Sequence, residues 1–230
     1  MGGRAARRIL IVAVLLVGLL VVADRVGLYI AERSAGSTIQ SSQGLRDRPD
    51  VDIAGLPFLT QLAAGEFDEI TVTATDVPLG SDARALQISR VRVVLHTITV
   101  ARDFSRVHAA DATATARITF AELGQALDVD LSYAGNGRIR ASKTVTVAGT
   151  SIKGAMTTQP RLVNGALGFA RTAVDGGGPL IDALASTLGQ VFDVSLPLQG
   201  IPFKIRVRAL QVDAQGVLVT LTGSNLTYSN

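Results

Sequence analysis

"LQISRVRVVLHTITV", Leu86–Val100, decides the fold. Leu86 and Ile88 share one parity. Val91, Val93 and Leu95 hold the other, with Arg90 and Arg92 opposite them, and Ile98 and Val100 switch back. Alternation of this kind is the mark of a strand buried on one face. Each change of parity carries the apolar side to the other face unless an extra residue is inserted. A β-bulge supplies such a residue and bends the strand. The stretch therefore predicts a long, strongly curved strand. Ile201–Val212 repeats the pattern: Ile201, Phe203, Ile205, Val207 and Ala209 alternate with Lys204, Arg206 and Arg208, and then Leu210 and Val212 take over. The fold class this implies is α+β, a strongly curved antiparallel sheet wrapped around one or more amphipathic helices.

Working toward the N-terminus, "GLPFLTQLAAGEFDEITVTATDVPLG" (Gly55–Gly80) contains a second strand, with Ile70, Val72 and Ala74 opposite Thr71, Thr73 and Thr75. Its first half places Leu56, Phe58 and Leu59 around Pro57, apolar residues where a turn would be polar. Val51–Ala54 reads as a short strand. Val26, Tyr29, Ile30, the stem of Arg33 and Ile39 make a loose helical stripe that Gly36 weakens.

Toward the C-terminus, Thr119 followed by Glu122 has capping-box spacing, so Thr119–Ala126 is a short helix. Leu127, Val129, Leu131 and Tyr133 alternate with polar residues. Gly135-Asn136-Gly137 is a hairpin turn, and Ile139–Val147 is its return strand. Arg161–Val174 fits helix and strand equally. After Gly176–Gly178, Pro179 starts a helix with Leu180, Ile181, Leu184, Leu188, Val191 and Phe192 at helical spacing. A last hairpin turns at Asp213–Gly216.

Ile9–Ala23, "ILIVAVLLVGLLVVA", is uninterrupted apolar sequence behind Arg4, Arg7 and Arg8. As a helix it is about 22 Å long, against the roughly 20 residues of a full span. Residues 1–25 read as a signal peptide, with Val21-Val22-Ala23 as cleavage site, or as a signal anchor prolonged by Val26, Leu28 and Ile30. Either way the arginines stay inside and the body, residues 26–230, is exported to the cell envelope or periplasmic space as a single β-rich domain at the outer face of the cytoplasmic membrane.

The 230 residues include no Cys and no Trp and only two His. No disulfide, thiolate metal site or Cys nucleophile is available. His96 and His108 have no metal-ligand spacing, and neither a Gly-x-Ser-x-Gly elbow nor a phosphate loop occurs. The reading is of a non-enzyme with no cofactor and no metal. The formal charge of +3 comes from the three leading arginines; without them the basic residues balance the 19 acidic ones. Nothing in that balance attracts a nucleic-acid backbone. Asp128 and Asp130 fall on one solvated strand face. Arg90/Arg92, Arg138/Arg140/Lys143 and Lys204/Arg206/Arg208 form basic stripes, to be read as a solvated exterior or as contacts for anionic lipid headgroups.

What remains is apolar surface. A one-sided sheet must be covered by helices, and with few aromatics the space is lined by Val, Ile, Leu and Ala. Such a groove suits an acyl chain, each buried methylene contributing about 0.8 kcal/mol. Candidate lining residues are Leu56, Phe58, Leu59, Ile70, Val72, Val93 and Leu95, with Leu180, Leu184, Leu188 and Phe192 from the Pro179–Phe192 helix. Arg90, Arg92, Arg138 and Arg140 are the headgroup candidates. Leu56, Phe58 and Leu59 either cap the cavity or touch the membrane at its mouth; the alternative is that Phe58 plugs the core beneath a turn.

The Gly55–Gly80 stretch, together with "LPLQGIPFKIRVRALQVDAQGVLVTLTG" (Leu196–Gly223), resembles the LmeA-type phospholipid-binding family of actinobacterial cell envelopes. Pro57–Gln61 and Gly65-x-Phe67 are the most specific part. The resemblance implies a fold like the tubular lipid-binding (TULIP) proteins, phospholipid binding with phosphatidylinositol favoured, and support of mannan or lipomannan elongation beside envelope glycan-assembly enzymes. It supplies no catalytic residues. Two other classes compete: a structural or adaptor subunit whose groove binds a partner protein, and an envelope glycosyltransferase or hydrolase. The last needs paired carboxylates in a cleft, and no spacing here demands them.

Overall fold

The computed structural model describes residues 3–79, 86–103, 105–147, 150–163, 166–175 and 206–229. Among these the chain is mixed α+β, and every strand pairing is antiparallel. The helices are α1 (Gly3–Gln43), α2 (Phe58–Ala64) and α3 (Phe120–Leu127). A six-stranded sheet runs in the order β1 (Asp50–Ala54), β2 (Glu66–Leu79), β3 (Leu86–Val100), β4 (Arg106–Ile118), β10 (Gly216–Ser229), β9 (Arg206–Asp213). A four-stranded meander holds β5 (Asp130–Tyr133), β6 (Ile139–Val147), β7 (Thr150–Val163) and β8 (Ala166–Asp175). Both sheets are open, so a sheet closed around a helix is not seen among the described residues. The Pro179–Phe192 helix of the sequence reading, with Leu180, Leu184, Leu188 and Phe192, lies outside them.

The parity changes in β3 are real, but they have a different cause from the one expected. The β2–β3, β3–β4 and β4–β10 registers are each constant from end to end, with no inserted residue. Instead one row, Asp68–Thr97–Ala110–Asn225, drops out of the ladders. Thr97 and Asn225 are left-handed there (φ 50° and 52°). A left-handed residue rotates the following peptide and resets the pleat, so side chains three apart stay on one face. Leu95 and Ile98, Phe67 and Ile70, and Ala109 and Ala112 accordingly pack into one cluster across the row. A second reset, at Asp76 (φ 51°), keeps Val77, Ile88 and Val91 together in another. Register slips of the bulge type occur elsewhere: between Thr220 and Leu221 of β10, which leaves Arg208 of β9 as the extra residue, and between Thr157 and Thr158 of β7, which leaves Thr172 of β8.

One face of the six-stranded sheet is therefore apolar along its whole length, with a packed cluster at each end. At one end Phe58 and Leu28 and Ala31 of α1 sit on Ile98, Phe67 and Leu226. At the other, Leu123 of α3 and Ile139 of the meander join Ile88, Ile118 and Val217, which ties the two sheets together.

The helices follow their sequences. Thr119 Oγ1 accepts the Glu122 N–H at 3.2 Å while Glu122 Oε2 accepts the Thr119 N–H at 2.7 Å, the reciprocal cap the spacing predicts. Thr119→Ala removes half of it, and thermal denaturation is expected to find a loss of about 1 kcal/mol. α1 does not break at Gly36. A Cβ there would lie 2.7 Å from the Pro49 carbonyl oxygen, so the glycine admits the returning chain rather than ending the helix. Nor does α1 break at residue 25: the apolar run and the packed half are one helix of 41 residues. Arg161–Val174, open between two readings, is strand at its described residues, Arg161–Val163 in β7 and Ala166–Val174 in β8. Gly135, Asn136 and Gly137 all have positive φ, as the hairpin requires.

Candidate functional site

The specific motif Pro57–Gln61 turns out to be α2 and its anchors, a helix the sequence reading took for a turn. Gly65, at φ 71°, caps it, donating to the Gln61 and Leu62 carbonyls. Each residue then has a task. Phe58 is 1 % exposed and packs near Phe67, with ring centroids 6.3 Å apart. It lies in the core beneath the α2 corner. The Leu59 N–H donates to Asp24 Oδ1 at 2.8 Å, so a carboxylate from α1 satisfies the first turn of α2, where the N-cap residue Pro57 has no side chain to offer. Gln61 Nε2 donates to the Ala54 carbonyl at 3.3 Å, and its Oε1 accepts the Asp68 N–H at 3.1 Å. That amide belongs to the row where the sheet ladder is interrupted. Asp24 and Gln61 were not singled out in the sequence; the one sign of Gln61 was its place in the motif.

With Phe58 turned inward, Leu56 (75 % exposed) and Leu59 (37 % exposed) remain outside. They face Val17, Leu20 and Val21 of α1 across a groove of about 540 Å³, with Asp24 and Arg25 at its head.

Four other lining candidates come together on the sheet. Ile70 pairs with Leu95, and Val72 with Val93. All four are half-buried. Ile70 and Leu95 belong to the cluster under α2, whereas the Val72–Val93 pair lies between the two end clusters.

The basic residues do not converge. Arg90 and Arg92 point away from the apolar face, among Thr73, Thr75 and Thr115. Beside Arg90 in the ladder, Arg117 Nη1 donates to both Asp213 oxygens at 2.9 and 3.0 Å. The Gln215 N–H and this guanidinium hold the Asp213 carboxyl below the usual carboxylate range. Arg138 and Arg140 are on the meander, near the hairpin turn. His96 Nδ1 lies 3.3 Å from Glu69 Oε2, its neighbour across the strands. His108 Nδ1 lies 3.2 Å from the Thr227 hydroxyl.

A second cavity, of about 550 Å³, opens between α3 and the meander, lined by Phe120, Gly124, Val129 and Leu131 and crossed at its rim by a Lys143–Asp128 ion pair of 2.8 Å. Asp128 is the left-handed residue that ends α3. Among the described residues no group of three His, Cys, Asp or Glu is placed to hold a metal ion.

The groove between α1 and α2 is lined chiefly by apolar side chains, whereas the cavity beside α3 is also lined by Gln125, Asp128, Asp130, Ser142, Lys143 and Thr144. Comparison with curated proteins returned no match, and comparison with solved structures returned none. A family model does match, described as LmeA-like phospholipid-binding and covering residues 22–222, from the end of the apolar run to the middle of β10. The chain belongs to the LmeA-like phospholipid-binding family.

Proposed function

We propose that this protein is a non-catalytic phospholipid carrier of the cell envelope, held at the membrane by α1 and laying lipid acyl chains along the apolar face of the six-stranded sheet. The observation that carries the proposal is the band Ile70–Leu95 and Val72–Val93, branched aliphatic side chains only half-buried, the first pair at the edge of the cluster under α2 and the second between the two clusters. Strands that keep one face apolar over 15 residues, by resetting the pleat twice, match a long linear ligand better than a compact one. In this reading the sheet curls about the Pro179–Phe192 helix, whose Leu180, Leu184, Leu188 and Phe192 form the opposite wall, as in tubular lipid-binding proteins. Phosphatidylinositol is the favoured ligand and lipomannan elongation the process served, both on the strength of the family resemblance. Arg90, Arg92, Arg138 and Arg140 then serve at the rims, toward headgroups, rather than in one pocket.

Native mass spectrometry of the full chain, purified without added lipid, tests the proposal. The expected spectrum contains a phospholipid adduct that organic extraction removes. A spectrum of lipid-free protein, or of protein bound to a second polypeptide through the same face, overturns it in favour of an adaptor.

A further inference from the structure

The apolar run Ile9–Ala23 makes about 22 Å of helix, and a bilayer's hydrocarbon core is about 30 Å thick. Alone, the run falls short, and it ends on a carboxylate. The fold corrects both faults. Asp24 is only 5 % exposed: one of its oxygens accepts the Leu59 N–H and the other the Arg25 guanidinium, each at 2.8 Å. Its charge is thus turned into the α1–α2 junction and not toward the surroundings. Past Asp24, the Arg25 side chain is 45 % exposed with its guanidinium held on the Asp24 carboxylate, and beyond it the outer surface is apolar as far as Ile30. On α1, Val26, Tyr29 and Ile30 share one exposed face; beside it, Leu56, Leu59 and Leu62 of the α2 corner are exposed too. From Ile9 to Ile30 the helix covers about 33 Å, the thickness a span requires. Polar groups resume at Arg33, whose Nη1 donates to the Tyr29 hydroxyl at 3.4 Å, a pair of the kind that settles at the headgroup level.

The groove between α1 and α2 lies inside this zone. Three of its walls, Val17, Leu20 and Val21, belong to the run itself, so a bilayer that takes up the run surrounds the groove as well. Its volume of about 540 Å³ is that of a small-ligand pocket, and its lining offers water few partners.

We propose that the α1–α2 corner is seated in the leaflet on the domain's side of the membrane that α1 crosses, and that its groove is filled by an acyl chain of a leaflet phospholipid. The corner is then where lipid passes between bilayer and sheet; that passage rests on the phospholipid-binding reading, while the seating does not. It also answers why Leu56 and Leu59 flank Pro57: with Phe58 committed to the core, they are the domain's apolar contact with the membrane.

The chain has no Trp, so Leu56→Trp and Thr60→Trp, the second inside the groove, each carry a single fluorescent reporter. Both residues are exposed, and the full-length variants are compared in nanodiscs of phosphatidylcholine with plain or brominated acyl chains. Gln211→Trp, on the exposed part of β9, is the reference. The expected result is blue-shifted emission from both reporters, at least halved by the brominated lipid, with the reference unaffected. If Leu56→Trp emits and resists quenching like the reference, the seating is wrong. If Leu56→Trp is quenched and Thr60→Trp is not, the groove holds no acyl chain and the filling is wrong. Quenching at both sites from a protein that carries no phospholipid in the native mass spectrum upholds the seating and overturns the carrier function alone.

Discussion

Phe58→Ala lowers the stability of the folded protein by about 3–5 kcal/mol, the range for emptying a large aromatic site in a packed core. At roughly 2–4 °C per kcal/mol for a chain of this size, the melting temperature falls by about 6–20 °C. The size follows from the position. Phe58 is 1 % exposed, and it is the residue through which α2, α1 and the sheet meet: Leu28 and Ala31 of α1 on one side, Phe67, Ile98 and Leu226 on the other. Nothing nearby is free to collapse into the space, because Asp24 and Gln61 fix both ends of the short helix by hydrogen bonds. Phe58→Leu fills most of the volume and is expected to recover much of the loss. Calorimetric melting checks both. A Phe58→Ala variant that melts with the parent but no longer carries lipid would return this ring to the role of a gate.

Val93→Asp is expected to strip the protein of co-purifying phospholipid while leaving its fold intact. Val93 lies at the centre of β3, paired with Val72 on one side and Ala114 on the other. It belongs to neither end cluster, so its replacement leaves both packed regions whole. A carboxylate at that point meets hydrocarbon when an acyl chain lies on the sheet, and a charge left without a partner in an apolar setting is costly enough to exclude the chain. Val93→Ile keeps the surface apolar and should keep the lipid. The native mass spectrum reads the outcome, with far-UV circular dichroism and melting as controls. If Val93→Asp stays folded and still carries lipid as the parent does, the acyl chains do not lie on this band.

Much of the architecture was legible because it depends on neighbours in the chain. β3 and β6 have the bounds their alternation gave, and Thr119 and Glu122 make the reciprocal cap their spacing called for. Parity changes in Leu86–Val100 correctly announced that one face stays apolar throughout. Where the reading failed, the missing information was held by residues distant in sequence. β4, "RVHAADATATARI", gave no strand signal, because three of its four buried positions are Ala109, Ala112 and Ala116, whose small side chains carry little hydrophobic contrast, and only the last, Ile118, is large. They are buried because β4 is central, between β3 and β10. α2 is seven residues long, too short to nucleate alone; it forms where a carboxylate 35 residues away, at Asp24, meets its first turn.

The candidate site divides along the same line. The sequence by itself determined which side chains are apolar and in what phase: that Val72, Val93, Ile70 and Leu95 each face one side of a strand, and that Leu56, Phe58 and Leu59 are out of place in a turn. These are properties of composition and period, set before any long-range contact forms. Tertiary structure alone decided that the two strand pairs lie in register, that Phe58 belongs to the core while its neighbours do not, and that the apolar N-terminal run continues into the domain as one wall of a groove. The physical reason is that a pattern of hydrophobicity states how much surface must leave water, but not what will cover it. Whether a given leucine is met by a strand, a helix or a lipid depends on where the remainder of the chain comes to rest.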